Sequence, residues 1–256
     1  MSNFMLDTAH SPAYPRLLPV GDQAVTVEFG ASIDDVLNRR VFAFADAVEH
    51  AAIRGVGELV PAYRSLLVQY DPETVAYDEL AARLEGMARG IGDPTRAGRQ
   101  PRVILEVPVV YGGDYGPDLV HVARNAGLSQ EEVIRVHSHV PYRVYMIGFS
   151  PGFPYLGGVD PRIACPRLKT PRTRVPAGSV GIAETQTGVY PNESPGGWQL
   201  IGRTPVRLFD PAAVPPALAR PGEFIQFVPI DHARYEDIAA AVQAGTYVPR
   251  VMEGAP

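Results

Sequence analysis

The chain has 256 residues, which is long enough for two ordinary domains or for one large one. Its 46% hydrophobic and 20% charged residues are typical of a folded protein, and its net charge of -5 argues against a nucleic-acid or anionic-membrane surface. A single cysteine, Cys165, excludes an internal disulfide, and the sequence shows neither a signal-peptide pattern nor an apolar run of membrane length. We therefore expect a cytoplasmic protein.

The first third of the chain predicts a small α+β domain. Four strands are expected at 14–20, 23–29, 56–62 and 66–70. A helix follows the second strand and is predicted to begin at a capping box formed by Ser32 and Asp35. Another helix follows the fourth strand and ends near Ile91. The order strand, strand, helix, strand, strand, helix describes a self-sufficient α+β domain, which we place at residues 1–95.

The remainder, residues 96–256, predicts a β-barrel. Turn-forming residues at 92–101 indicate a linker. Beyond a strand at 103–110, one helix is expected with Pro117 as its first residue and another with a Ser129 and Glu132 capping box. Prolines are dense from 141 to 216, which excludes long helices there. Candidate strands lie at 144–149, 179–183, 188–190, 198–202, 206–209 and 224–228, and a last helix at 235–242.

The stretch GFSPGFPYLGG, residues 148–158, contains the pattern G-x-S-x-G, which marks a nucleophilic serine in many hydrolases. The elbow of those enzymes uses the N–H of the residue after the serine, and here that residue is Pro151, which has none. It must also lead into a helix, whereas Ser150 leads into a Pro-Gly-Phe-Pro segment. We therefore interpret Ser150 as a structural residue of a rigid loop, and we assign no catalytic residue.

Aromatic and polar residues around this loop are candidates for a binding site. The substrate-binding candidates are Phe149, Phe153, Tyr155, Gln186, Thr187, Tyr190 and Trp198. Pockets commonly combine apolar walls with a few polar groups, as this set would. Two interpretations stay open at this point: a ligand pocket, or an ordered loop with turn residues and one tryptophan packed on the core.

A basic tract lies between these two groups of candidates. Its cations are Arg162, Arg167, Lys169, Arg172 and Arg174. Guanidinium groups bind carboxylates and phosphates in a fork, so the tract predicts an anion site, with Arg172 and Arg174 the favoured pair and a solvated loop the alternative. Lys169 is the only lysine and no Gly-Lys pair exists, which excludes a Walker A phosphate loop.

His137 and His139 form an H-x-H pattern that is compatible with a metal ligand pair. His137 lies at helical spacing from Val133 and Ile134, and no neighbouring carboxylate or cysteine set completes a zinc site. We therefore predict that His137 is a core histidine at a helix end, and we predict no metal site.

Four long segments carry a resemblance to a known family. They are EVPVVYGGDYGPDL, HSHVPYRVYMIGFSPGFPYLGG, TPRTRVPAGSVGIAETQTGVYP and ESPGGWQLIGRTPVRLF. With weaker matches around Gly21 and Asp22 and at VPAYRSLLVQYDP, the chain resembles the 5-oxoprolinase B-subunit family over nearly its whole length. The family is also called allophanate hydrolase subunit 1 and includes a sporulation histidine-kinase inhibitor. This chain has Glu184 where the family more often has glycine.

The resemblance implies an N-terminal α+β domain and a C-terminal cyclophilin-like β-barrel. It also implies a partner of the C-subunit (allophanate hydrolase subunit 2) family, a further A-subunit, and a complex that uses ATP to open the lactam of 5-oxo-L-proline to L-glutamate. ATP would be held by the complex. Two other functions are compatible with the family: a carboxyltransferase-type component of urea or allophanate metabolism, and a protein-binding inhibitor of a histidine kinase.

Overall fold

The computed structural model describes residues 13–92 and 102–254. The chain divides into two compact units, 1–98 and 99–256. Apart from Gly92, the predicted linker at 92–101 and the predicted boundary between 95 and 96 lie outside the described residues, so they stay predictions. In the described part of the chain, no helix has both the length and the apolar character that crossing a bilayer requires.

The N-terminal unit is a four-stranded antiparallel sheet with two helices. The strands are β1 (Arg16–Val20), β2 (Ala24–Glu28), β3 (Val56–Pro61) and β4 (Ser65–Tyr70), and the helices are α1 (Asp35–His50) and α2 (Tyr77–Gly90). The strands lie in the order β1-β2-β4-β3, so β1 and β3 form the two edges. The predicted order of strands and helices is confirmed.

The core of this unit follows the two periodicities of its elements. Alternate side chains of the central strands and helically spaced side chains of α1 and α2 are removed from solvent: Val25, Val27, Leu66, Val68, Val41, Phe44, Leu80 and Leu84. Asn38 on α1 is buried among them, and its amide donates to the carbonyl oxygens of Ala62 and Tyr63 at 3.2 and 3.3 Å. This polar contact ties α1 to the turn between β3 and β4.

The predicted start of α1 is wrong by two residues, because the N-cap is Asp34 and not Ser32. The helix begins at Asp35, and the carboxylate of Asp34 accepts hydrogen bonds from the backbone N–H groups of Val36 and Leu37 at 2.8 and 3.1 Å. Asp caps a helix as well as Ser does, and the reciprocal bond of a capping box calls for the longer Glu or Gln side chain at the third helical position. Asp34 therefore displaces Ser32 as the N-cap.

The C-terminal unit contains ten strands and three α-helices among its described residues. The strands are β5 (Arg102–Tyr111), β6 (Tyr142–Ile147), β7 (Pro154–Gly157), β8 (Arg172–Val175), β9 (Ser179–Ala183), β10 (Gln186–Val189), β11 (Ser194–Gly196), β12 (Gln199–Arg203), β13 (Phe224–Pro229) and β14 (Val251–Gly254). The helices are α3 (Leu119–Ala126), α4 (Gln130–Ser138) and α5 (His232–Gln243).

Seven of these strands close into a barrel. Neighbouring strands run β5-β13-β6-β7-β10-β9-β12, and pairing of Gly202 with Tyr111 and of Arg203 with Val110 joins β12 back to β5. Only the β5–β13 pair is parallel among the described pairings of the ring. An α+β unit followed by a β-barrel is thus the predicted fold class, and it is confirmed. The inward side chains form one apolar core that includes Val107, Val144, Leu156, Ile182, Val189, Ile201 and Phe227.

Of three local predictions in this unit, one is confirmed and two are wrong. The Ser129 and Glu132 capping box is confirmed at the start of α4. Pro117, however, precedes the N-cap Asp118 of α3 and is not its first helical residue. The predicted strand at 206–209 is also wrong, because this segment makes only an isolated bridge between Phe209 and Ala217. Alternating burial there reflects packing against the core without a paired strand.

Candidate functional site

Five predicted site residues come together on the outer side of the barrel, and we call them the aromatic cluster: Phe149, Phe153, Tyr155, Tyr190 and Trp198. Phe149 and Phe153 lie in the turn between β6 and β7, and Tyr155 lies on β7. Tyr190 follows β10 and Trp198 precedes β12. The cluster is therefore built from segments on or next to three strands of one sheet, β7, β10 and β12.

The rings meet mainly edge to face, with Phe153 at the centre. Its ring centroid lies 4.9 Å from Tyr155, 5.2 Å from Tyr190 and 5.5 Å from both Phe149 and Trp198. Such geometry places the positive edge of one ring against the negative face of the next. Phe153, Tyr190 and Trp198 are buried and Tyr155 is half-buried, whereas Phe149 is 62% exposed. The cluster is a packed base with one open side.

Two glycines make room for these rings. A Cβ atom on Gly188 of β10 would lie 3.0 Å from the ring of Phe153, and one on Gly196 would lie 2.5 Å from the hydroxyl of Tyr190. Any larger residue would push a ring out of its place, because interiors are packed without spare volume. The sequence therefore depends on glycine here for close approach.

The two remaining polar candidates of β10 lie on opposite sides of the sheet. Successive side chains of a strand point to opposite faces, so half-buried Gln186 shares the outer side with Gly188. Thr187 is fully buried on the inner side, where its hydroxyl lies 2.9 Å from Nε2 of His137. The structure brings Gln186 to the side of the cluster and separates Thr187 from it.

His137 is a core residue, as predicted. Thr187 Oγ1 donates to the carbonyl of Gly181 at 2.9 Å, so it accepts from His137 Nε2–H, and Tyr111 donates its hydroxyl to His137 Nδ1 at 2.9 Å. Both ring nitrogens are therefore occupied by protein groups. Burial lowers the pKa of His137 to about 3, which keeps the imidazole neutral.

Arg167 makes a cation–π contact with the aromatic cluster, and sequence reasoning did not single it out from the basic tract. Its guanidinium carbon lies 5.8 Å from the ring centroid of Trp198, within cation–π range. Burial raises the pKa of Tyr155 and of Tyr190, while the positive charge of Arg167 acts in the opposite direction on both. Trp198 lies 31 positions after Arg167 in the sequence, and no local spacing pattern relates the two residues. Only the fold therefore identifies Arg167 as part of the site.

Arg172 forms hydrogen bonds within the protein that stabilise the site. Its guanidinium donates to Asp118 Oδ1 at 2.7 Å and to the carbonyl of Trp198 at 3.3 Å. The other carboxylate oxygen of Asp118 accepts from the backbone N–H of Leu200 at 2.6 Å. Asp118 and Arg172 together clamp the start of β12, on which Trp198 depends for its position.

Arg174, the other member of the favoured pair, is more exposed. Its Nε lies 2.7 Å from Oε2 of Glu193, and the two side chains are 75% and 49% exposed. It lies two residues from Arg172 on β8 and therefore on the same side of that strand. Each of the two favoured arginines thus has a carboxylate partner in the structure, and the anion site predicted for the pair stays a prediction.

The G-x-S-x-G segment forms a tight turn that leads into β7 and not into a helix. Phe149 has φ of 61°, in the left-handed region that non-glycine residues rarely adopt, and Ser150 N–H donates to the carbonyl of Gly148 at 2.6 Å. Among the described residues, the buried hydroxyl of Ser150 has no hydrogen-bond partner. The geometry is that of a strained loop that presents Phe149 to solvent.

Glu184 and Cys165 form an isolated antiparallel β-bridge. Glu184 occupies the turn between β9 and β10 with φ of 53°, a conformation in which glycine is less strained, and its N–H donates to the carbonyl of Cys165 at 2.8 Å. Burial, with smaller contributions from Asp118 and Glu184, raises the pKa of the Cys165 thiol. The thiol is therefore held in its protonated, weakly nucleophilic form.

The arrangement is suited to binding. An open aromatic side, a neighbouring guanidinium and a rigid base can hold a small molecule or a side chain of another protein. The tyrosines are kept protonated and the histidine of this unit's core faces away from the cluster. In the described part of the chain, no three His, Cys, Asp or Glu side chains group as metal ligands.

A family model described as "Carboxyltransferase domain, subdomain C and D" matches residues 15–219, a range that reaches into both units and contains the whole aromatic cluster. The chain belongs to the carboxyltransferase domain, subdomain C and D family. Within this family, the B-subunit of 5-oxoprolinase from Bacillus subtilis (strain 168) is 44% identical over 226 residues, which cover 84% of this chain and 93% of that protein.

Solved structures with the same fold are also similar to this chain. The crystal structure of TTHA0988 has a TM-score of 0.70 and 39% identity, and the match covers 82% of this chain but 40% of that one. This chain thus spans less than half of the TTHA0988 chain. Urea carboxylase of Kluyveromyces lactis has a TM-score of 0.77 at 22% identity, covering 93% of this chain and 24% of that one, and shares the fold.

Proposed function

We propose that this protein is a subunit of an ATP-dependent 5-oxoprolinase that opens the lactam of 5-oxo-L-proline to L-glutamate. One observation carries the proposal: a protein named as the B-subunit of 5-oxoprolinase is 44% identical and is matched over 93% of its length. Identity at this level over nearly a whole protein supports a common role more strongly than the shared fold does, since one fold serves many functions.

The chemistry favours a complex over a single chain. A lactam amide is stabilised by resonance, so opening it under mild conditions calls for activation, which ATP supplies by phosphorylating the oxygen. The chain has no Gly-Lys pair for a Walker A loop, and Ser150 has the wrong geometry for an elbow nucleophile. We propose that ATP is bound by the complex and that this chain alone has no turnover.

The proposed partner is a protein of the C-subunit (allophanate hydrolase subunit 2) family, with an A-subunit as a further component. The TTHA0988 chain supports a close partnership, because a unit similar to this chain there accounts for 40% of a longer polypeptide. Sites shared between proteins commonly form where an apolar surface meets a few polar groups. The open side of the aromatic cluster, with Phe149, Tyr155 and Arg167, is our candidate for this chain's share of the site.

Within that share, Arg167 is the proposed anchor for the carboxylate of 5-oxoproline. It is exposed and lies against Trp198, whereas Arg172 and Arg174 are paired with Asp118 and Glu193. A guanidinium on a rigid aromatic face loses little entropy when it binds a carboxylate. Phe149 and Tyr155 would cover the apolar ring of the ligand.

The test is reconstitution from purified components. The chain alone with ATP and 5-oxoproline should release no phosphate, and the mixture with the A- and C-subunits should form glutamate and ADP together. The variant Arg167→Gln should raise the KM for 5-oxoproline about tenfold or more, as expected for loss of a charge-assisted hydrogen bond. Arg124→Gln, which removes an exposed arginine on α3, is the matched control and should leave KM unchanged.

Two results would contradict the proposal. Turnover by the single chain at the rate of the mixture would show that it is not a dependent subunit. A complete mixture in which the components bind one another but make no glutamate would show that the substrate is a different one.

A further inference from the structure

A cleft of about 540 Å³ lies in the N-terminal unit, between α1 and the edge strand β3. It belongs to neither the aromatic cluster nor any other part of the proposed site. We call it the acidic groove. Its wall on the helix side is formed by one flank of α1, from Phe42 and Ala45 to Glu49, and its floor by β3, from Val56 to Leu59.

The groove runs beside a free sheet edge. In the described part of the unit, β3 pairs with β4 and with no other strand. Alternate backbone N–H and C=O groups of an edge strand point away from the sheet, and an added strand can bond to them. A bulge between Val56 and Leu59 and the absence of an N–H on Pro61 limit the usable edge to a few residues.

The rim of the groove is acidic. The carboxylates of Asp46, Glu49 and Glu58 are exposed there, and within the described residues none of the three forms an ion pair. Unpaired like charges around an apolar floor are unfavourable in the free protein, and a cation brought among them is stabilised by all three. The surface therefore selects for positive charge.

The negative charge continues beyond the groove. A neighbouring cleft of about 570 Å³ shares Val56 and Gly57 with it and adds the carboxylates of Asp22 and Asp71. Among the described residues that line the two clefts there is no lysine, arginine or histidine. A negatively charged surface thus extends along the first half of β3 and around the end of the sheet.

We propose that the acidic groove binds an extended, arginine- or lysine-rich segment of a partner protein, which adds a strand to the edge of β3. Main-chain hydrogen bonds to β3 would supply affinity, and side chains would supply specificity, as in other cases of strand addition. Apolar side chains of the segment would meet Phe42 and Leu59. A cation opposite Glu58 would make a cross-strand pair, and cations on the helix side would meet Asp46 and Glu49.

A second copy of this chain is the wrong occupant on the grounds of charge. Edge-to-edge pairing of two β3 strands would bring Glu58 and the acidic rim of one protomer against the same groups of the other. Like charges in facing positions are destabilising. The inference does not depend on the reaction proposed above, since it concerns a different unit and different residues.

In the experiment, the full chain is titrated with capped peptides of alternating arginine and valine. Calorimetry measures the affinity, and changes in amide chemical shifts locate the binding site. Shifts confined to β3 and to α1 from Phe42 to Glu49 are expected, with affinity falling as salt is raised from about 50 to about 300 mM. A glutamate–valine peptide should not bind. A peptide N-methylated at alternate residues keeps its charge but cannot pair as a strand, so it should bind at least about tenfold more weakly.

Variants assign the binding to the groove. Glu49→Gln and Glu58→Gln should each weaken the arginine peptide about two- to fivefold, the range of an exposed ion pair. Glu79→Gln, which removes an exposed carboxylate on α2, makes the same charge change elsewhere and should have no effect. Equal binding of the methylated peptide, or equal effects of all three variants, would overturn the proposal. Salt-independent dimerisation through β3 in sedimentation would overturn it in favour of a second copy.

Discussion

The two faces of β10 show how one strand supports two kinds of site. On the inner face, Thr187 joins a chain of hydrogen bonds that runs from Tyr111 through His137 to the carbonyl of Gly181. On the outer face, Gly188 leaves space for Phe153 and the aromatic cluster. Both faces combine rings with polar atoms, and composition alone makes them equally plausible as ligand sites.

The difference lies in what remains unsatisfied. The inner chain of hydrogen bonds is closed, since each of its nitrogens and hydroxyls has a protein partner, so it stabilises the barrel and offers nothing to a ligand. The outer cluster keeps an exposed ring at Phe149 and an exposed guanidinium at Arg167. Exposed rings and charged groups on a rigid surface are therefore a better indicator of a binding site than composition is.

The largest effect is expected at the centre of the outer cluster. Phe153→Ala should lower the free energy of unfolding of the C-terminal unit by about 3–5 kcal/mol, because it removes the ring that four others pack against. Urea unfolding followed by fluorescence of Trp198, the only tryptophan, reports on this unit. Phe149→Ala is the control and should cost less than about 1 kcal/mol, since that side chain is 62% exposed. Equal losses would mean that the cluster has no packed base.

The inner face should be recognised by its response to acid. The pKa of His137 is about 3 in the folded protein, below its ordinary value of 6.5, so below pH 6.5 the unfolded chain binds a proton that the folded chain does not. Stability should therefore fall as the pH falls from 6.5, by up to about 1.4 kcal/mol per pH unit from this residue alone.

Urea titrations at several pH values compare the wild type with His137→Gln, whose pH slope between about 6.5 and about 4.5 should be shallower. His121→Gln removes an exposed histidine on α3 and should keep the wild-type slope. Parallel slopes for the wild type and His137→Gln would show that the imidazole titrates in the folded state.

The smallest effects on stability are expected at the ion pairs of Arg172 and Arg174, the two arginines that the sequence suggested as a pair. The two ion pairs should differ in how much they stabilise the protein. Asp118→Asn should cost about 1–3 kcal/mol, because it weakens the partly buried clamp on Arg172 and Leu200. Arg174→Gln should cost less than about 1 kcal/mol, since its partner Glu193 is also exposed, and about 1 M salt should remove the effect. Chemical denaturation with urea at both salt concentrations measures the two. A larger cost for Arg174→Gln would mean that it has a role within the site.

Periodicity, capping and proline placement are local properties, so the sequence alone determined the α+β unit, the barrel class, the α4 capping box and the buried position of His137. The aromatic residues were also identified from their grouping along the chain. Tertiary structure decided which of them share a face, because a shift of one residue along a strand reverses the side. It therefore separated Thr187 from Gln186 and paired Arg172 with Asp118, 54 residues away. It also placed Arg167 over Trp198, a contact between segments that no local pattern relates.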